Sequence, residues 1–244
     1  MMVLAAFCAY FVKGMCGFAN TMVFGTVMSF KTDNINITPV ELLVNYPSNI
    51  IIAYKERKKL NIRALIILSA CIVVGNIPGV FFLKIGDAGL IKFLFGIVIA
   101  AIGVQLLLSG NKANEKKPKL PVIMLIGMIS GLICGVFGIG ALMVVCVRSM
   151  TEDTGALRGT HNAIFAVEGL FRIIVYSITG IITLQTVQQA LYLIPVMLIS
   201  LYLGTLVSKK VSEKTARMII NIMLIFSGFS ICVTNFATVL ALVG

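Results

Sequence analysis

Lys13 stands directly ahead of Gly14 in a strongly apolar opening stretch, and an ammonium held among apolar side chains marks a cavity or an ion pathway unless its stem reaches back to a polar interface. Asn20 and Thr21 follow within the same stretch and add hydrogen-bonding capacity. Further on, Asn45 and Asn49 are four residues apart with Pro47 between them, so in a helix they share a face on which the proline frees a carbonyl. That face is too polar for lipid and suits either a cavity or contacts between helices. Glu41 precedes it and reads as an acidic charge near a helix start. A third set is His161, Asn162, Glu168 and Arg172. Glu168 lies four residues before Arg172 and seven after His161, which puts the three on one helical stripe in the favourable acid-before-base order. Arg172 offers a planar fork for an oxyanion, and the Glu168–Arg172 pair is equally able to serve structure alone. His161 is the single histidine and titrates near neutrality when unperturbed, so His161 and Glu168 are the candidates for coupling to a proton.

These residue types bind and gate better than they catalyse. The chain contains no HExxH pair and no G-x-S-x-G nucleophile turn. The run GVFGIG lacks the spacing and strand context of a dinucleotide-binding turn. Cys8, Cys16, Cys71, Cys134, Cys146 and Cys232 all sit in apolar segments without a CxxC pair, as small packing residues do. The expectation is a protein that is not an enzyme and carries no cofactor or metal.

Two glycine-rich stretches must position the polar groups. Residues 14–29 read GMCGFANTMVFGTVMS and residues 131–150 read GLICGVFGIGALMVVCVRSM. With Gly14 set against Gly135, Gly17 meets Gly138, Met22 meets Met143 and Val23 meets Val144, while Phe18 and Ala19 face Ile139 and Gly140. Glycine tolerates backbone conformations that a side chain forbids, so each stretch predicts a break between two short helices, with an apolar arm of about twelve residues on either side. Close helix packing through small residues is the other use of such glycines. Gly79 and Gly204, and Gly103 and Gly228, keep a common separation of 125 residues, which extends the repeat through most of both halves.

The chain that holds these stretches belongs in a bilayer. Of its 244 residues 59% are hydrophobic and 12% charged, about half the charge of an ordinary soluble domain. Apolar runs long enough to cross hydrocarbon as helix recur along it. The net charge of +11 lies in short loops rather than in a nucleic-acid-binding patch. The opening residues lack a basic stretch and a separate cleavage pattern and are read as part of the mature protein. After the first broken segment, helices are expected from Thr38-Pro39 to about residue 54 with a kink at Pro47, then over 64–83, 90–108, 156–176, 187–207 and 216–233.

Loop charge orients the halves. If the second broken segment enters and returns on one side, loops 55–63, 110–120, 148–158 and 208–217 fall together with fifteen basic residues, against three in 31–37 and 84–92. A short-loop bias of this size marks the cytoplasmic side. The resulting expectation is an all-α polytopic membrane protein of two inverted-topology repeats, each a re-entrant broken-helix hairpin followed by three transmembrane helices. Residues 1–109 form the first repeat, 110–120 a cytoplasmic linker and 121–244 the second repeat.

At each hairpin tip the second short helix starts with free N–H groups and a partial positive charge inside the bilayer, which is an anion site in waiting. Gly14 and Gly17 on one tip and Gly138 and Gly140 on the other would let two backbones approach a shared chamber. The substrate-binding candidates are therefore Lys13, Gly14, Gly17, Asn20, Thr21, Asn45, Asn49, Gly138, Gly140, His161, Asn162 and Arg172. The expected partners are a small anion and the lipid bilayer, with no nucleic acid. A non-transporting membrane scaffold is the alternative class.

The pair GMCGFANTMVFG and GLICGVFGIGALMVV, each followed by a helix, a short loop and a helix pair, resembles the sulfite exporter TauE/SafE family, also called the 4-toluene sulfonate uptake permease family. The resemblance covers essentially the whole chain. It implies a plasma-membrane carrier for a sulfur-containing oxyanion such as sulfite, a sulfonate or sulfoacetate, driven by an ion gradient of H⁺ or Na⁺. The sequence departs from the family's glycine-rich motif, in which several consecutive glycines precede a proline: Ala19-Asn20 stands where more glycine is expected, and neither half has that proline.

Overall fold

The computed structural model describes residues 1–29, 32–108 and 119–208, together with positions 225, 228, 229, 231–233 and 236. Every long element among them is an α-helix: α1 (Met2–Cys16), α2 (Asn20–Ser29), α3 (Asn34–Lys55), α4 (Ile62–Ile85), α5 (Ala88–Leu108), α6 (Leu120–Phe137), α7 (Ala141–Met150), α8 (Thr154–Ile178) and α9 (Leu184–Val207). Four of them, α4, α6, α8 and α9, are long and apolar enough to cross a membrane. The expected helix 216–233 and most of the loop 208–217 fall outside the described residues, as does nearly all of the linker 110–120.

Local chemistry sets the ends. The Asn61 side chain accepts from the Ala64 N–H at 3.0 Å, and Asp153 accepts from that of Ala156 at 2.9 Å, so α4 and α8 each begin at a capping side chain. The Ala156 N–H holds the exposed Asp153 carboxyl below its ordinary range. That cap therefore supports α8 at neutral pH and is lost as acid protonates Asp153. Thr183 and Thr186 exchange side-chain and backbone bonds at the start of α9, and Pro121 occupies the first turn of α6.

Both glycine stretches break the helix where the alignment places them. Gly17 (φ 87°) closes α1 by donating to the Lys13 carbonyl at 2.7 Å, and Gly138 (φ 73°) closes α6 by donating to that of Cys134 at 2.7 Å. A left-handed backbone of this kind favours glycine. Ala19 shares the left-handed region at φ 75°, an uncommon place for a side chain. After the breaks the chain turns back on itself. Phe24 and Met28 of α2 share a buried cluster with Ala5, Ala6 and Ala9 of α1, and the Cys146 thiol of α7 reaches the Ile123 carbonyl of α6 at 3.6 Å. The arms are unequal, 15 and 10 residues in the first pair and 18 and 10 in the second, not the uniform dozen that the pattern predicted.

Among the described residues three apolar clusters form the interior. One joins α1, α2 and α3 to α9 through Tyr10, Phe24, Val44 and Met197. Another joins α6, α7 and α8 to α4 through Leu68, Ile72, Met143 and Phe165. A third, with Leu42, Phe95, Phe137 and Tyr176, lies where these groups meet. In the first group Gly14 rests on Gly204, and in the second Gly135 rests on Gly79. Backbone approaches this close need an absent side chain on both partners.

Helix α3 starts at Asn34 rather than at Thr38-Pro39, and it continues through Pro47. The earlier start moves Glu41 two turns into the helix, where it is 1% exposed. It is therefore a core residue and not the terminal helix charge that the sequence suggested.

Candidate anion site between two helix breaks

The two breaks converge on one small cavity, lined among others by Lys13, Asn20, Thr21, Asn45, Asn49, Gly138, Gly140 and His161. Its volume of about 20 Å³ admits a single water and is too small for a sulfonate. Gly138 faces Thr21 across the junction, since a Cβ built on Gly138 would stand 3.0 Å from Thr21 Cγ2.

Lys13, only 2% exposed, donates to Asn45 Oδ1 at 2.5 Å, Ser48 Oγ at 2.8 Å and Asn49 Oδ1 at 2.5 Å. Three acceptors match the three N–H donors of an ammonium. They are neutral, so they satisfy its hydrogen bonds without cancelling its charge.

At the first tip Glu41 Oε1 accepts from Asn20 Nδ2 at 2.6 Å and from Thr21 Oγ1 at 2.8 Å. Its Oε2 is buried with no hydrogen-bond partner among the described residues. The Tyr10 hydroxyl approaches the Glu41 carbonyl at 3.5 Å. His161 lies between the rings of Phe18 and Phe165, with centroid distances of 6.2 and 4.7 Å. Both of its ring nitrogens are buried without a hydrogen-bond partner among the described residues.

The remaining candidates lie outside this lining. Gly14 packs on α9. Gly17 sits beneath the Arg158 side chain, and its carbonyl accepts from Asn162 Nδ2 at 3.2 Å. Arg158 also donates to the Met15 carbonyl, so α8 holds the end of α1 at two points. Arg172 stands behind the second tip, with its Nε 3.0 Å from Glu168 Oε1 and its Nη1 donating to the Cys134 carbonyl at 2.7 Å. Glu168 Oε1 also accepts from Asn76 Nδ2 at 2.5 Å and lies 3.4 Å from the Cys134 thiol, and the Tyr176 hydroxyl donates to the Gly135 carbonyl at 2.9 Å. Arg172 thus braces the break from behind.

Sequence reasoning left Glu41, Ser48 and Asn76 out of the site. For the first two the signal was present, because 41, 45 and 48 share a helical face at spacings of four and three. Asn76 announced itself only as a polar residue in an apolar run. Among the described residues no group of three potential metal ligands occurs.

The sequence model of the family described as Sulfite exporter TauE/SafE matches residues 2–231. The chain belongs to that family. No curated protein and no solved structure matches it. As a TauE/SafE protein it is a polytopic helical membrane transporter for a small anion, and not an enzyme.

Proposed function

We propose that the chain is an alternating-access carrier of the plasma membrane for a small sulfur-containing oxyanion of the sulfite, sulfonate or sulfoacetate type, coupled to an ion gradient. The observation that carries this reading is the meeting of two helix breaks at a cavity that holds the charge of Lys13 without a counter-ion bonded to it. The N–H groups that open α2 and α7 add partial positive charge on either side of it. In this reading the substrate binds among Lys13, Asn20, Thr21, Asn45, Asn49 and His161, close against the backbone of Gly138 and Gly140. Gly14, Gly17, Asn162 and Arg172 shape the two tips.

The repeats are proposed to be inverted, over residues 1–109 and 121–244. Helix α1 runs alongside α9 in the same direction, because Ala5 and Ala9 share a cluster with Ala190 and Leu193 while Gly14 meets Gly204. Helix α4 likewise runs with α6, since Gly127 meets Cys71 and Gly135 meets Gly79. The Met150 carbonyl accepts from Asn61 Nδ2 at 2.7 Å, at the end of the bundle where α4 and α6 both start. These contacts favour two re-entrant pairs that enter from opposite faces, the recurring plan of carriers with broken helices at the midplane. Loops 55–63, 110–120, 148–158 and 208–217 are then cytoplasmic.

Vesicles reconstituted with the purified protein and loaded with labelled sulfite or methanesulfonate test this function. Gradient-dependent flux that falls in Lys13→Ala supports it. A folded protein that moves no member of a panel of sulfur and carboxylate anions sinks it.

A further inference from the structure

Four charged side chains are nearly inaccessible among the described residues: Lys13, Glu41, Glu168 and Arg172. Two are basic and two acidic, so the ionised interior is neutral. An anion that enters it adds an uncompensated negative charge in a medium that screens weakly. The contacts of Glu41 sharpen the conflict. Its carboxylate already takes the side-chain donors of Asn20 and Thr21, two residues that line the cavity at the start of α2. An incoming oxyanion needs the same donors and the same helix end.

We propose that Glu41 is the proton-coupling residue of this carrier: as a carboxylate it occupies the donors of the first break, and on taking up a proton it releases them to the substrate. The inference rests on the reading that the cavity receives an anion. The proton comes from water on the side to which the cavity is open and binds the carboxyl group at Oε2, the oxygen that lacks a donor. No covalent bond to substrate forms or breaks. Interior charge is restored to its resting value, because one anion and one proton enter together, and both leave together when Glu41 returns to Asn20 and Thr21.

The titratable and charged groups that face Glu41 are Tyr10 and Lys13 from α1, Cys134 from α6, and Glu168 and Arg172 from α8. Glu168 is bonded to Asn76 and paired with Arg172, an arrangement that holds its charge in place. His161 shares the cavity, but it touches Phe18 and Phe165 rather than the donors at the start of α2. Among the described residues Glu41 alone joins a buried oxygen without a donor to two groups of the cavity wall. Its role is positioning, exerted through Asn20 and Thr21.

The test uses full-length protein in lipid nanodiscs with methanesulfonate, which stays ionised throughout the working range so that any proton taken up belongs to the protein. The wild type is expected to take up one proton per anion bound, and its affinity is expected to fall about tenfold per pH unit on the alkaline side. Glu41→Gln is expected to bind without proton uptake and with an affinity independent of pH. If that variant does not fold, Glu41→Asp keeps a carboxyl with a shorter reach and is expected to shift the pH midpoint of binding. An unchanged midpoint in folded Glu41→Asp overturns the proposal, as does proton uptake that persists in Glu41→Gln or that disappears in a His161→Gln variant that still binds the anion. Anion binding by the wild type without proton uptake overturns this inference alone. Failure of the wild type to bind methanesulfonate or sulfite at any pH removes the site reading and the inference together.

Discussion

Gly14 lies so close to Gly204 that a Cβ on Gly14 would stand 2.9 Å from the Gly204 Cα and equally near the Thr205 nitrogen. The counterpart in the other group is Gly135 on Gly79, where a Cβ would stand 3.0 Å from the facing Cα. Gly14 pairs with Gly135 in the aligned repeats, and Gly204 with Gly79. The same junction is therefore built twice. A larger side chain must push two backbones apart, which costs about 1–3 kcal/mol in a well-packed interior. Gly14→Val and Gly135→Val are each expected to lower thermal stability in detergent, whereas Gly180→Ala, whose Cβ would meet nothing within 4 Å, should lose only the smaller amount due to its left-handed backbone. Equal stability of all three variants contradicts this account.

Among the described residues Lys13 bonds three neutral oxygens and no acid. Removal of a charge-assisted contact costs roughly 1.5–3 kcal/mol, so Lys13→Met should weaken anion affinity roughly 10- to 100-fold. Lys13→Arg should rescue poorly, since a planar fork does not fit a three-pointed nest. Equilibrium binding of labelled sulfite checks both, with circular dichroism as the control for fold. Full affinity in folded Lys13→Met would remove the ammonium from the site.

The buried pair of Arg172 and Glu168 makes a prediction of a different sign. Arg172→Met leaves a buried carboxylate facing no cation, at a cost of about 3–5 kcal/mol. Arg172→Met combined with Glu168→Gln should recover much of that loss. Chemical unfolding of the three variants gives the comparison, and a double variant no more stable than Arg172→Met would show that the pair does not act as a unit.

Topology has its own measurement. On a background freed of the six native cysteines, single cysteines placed at positions 115 and 152 are both expected to react only from the cytoplasmic side. Labelling of the two from opposite sides would mean that the second broken segment runs straight across.

The fold was most legible in the sequence where backbone geometry demands glycine. Gly17 and Gly138 carry positive φ, and the repeat alignment had already paired them. Gly14 was harder to read, because a glycine that permits a break and one that permits a close helix crossing look alike in one dimension. Helix α3 shows a different obstacle. Thr38-Pro39 makes a convincing start signal, yet the helix begins a turn earlier at Asn34, and this shift carries Glu41 from the rim to the core. The cage around Lys13 was half legible through Asn45 and Asn49. The contacts of Asn76 with Glu168 span 92 positions, and no local pattern encodes them.

Because α9 belongs with the first hairpin and α4 with the second, the chain's halves clasp each other, each lending a helix to its sibling. A swing that opened the vestibule could not use the two sequence segments as its moving bodies without tearing glycine from glycine. Under the proposed alternating-access cycle the rigid pieces are mosaics of both, and the seam between them passes between α3 and α8, beside the only tier of buried charge among the described residues.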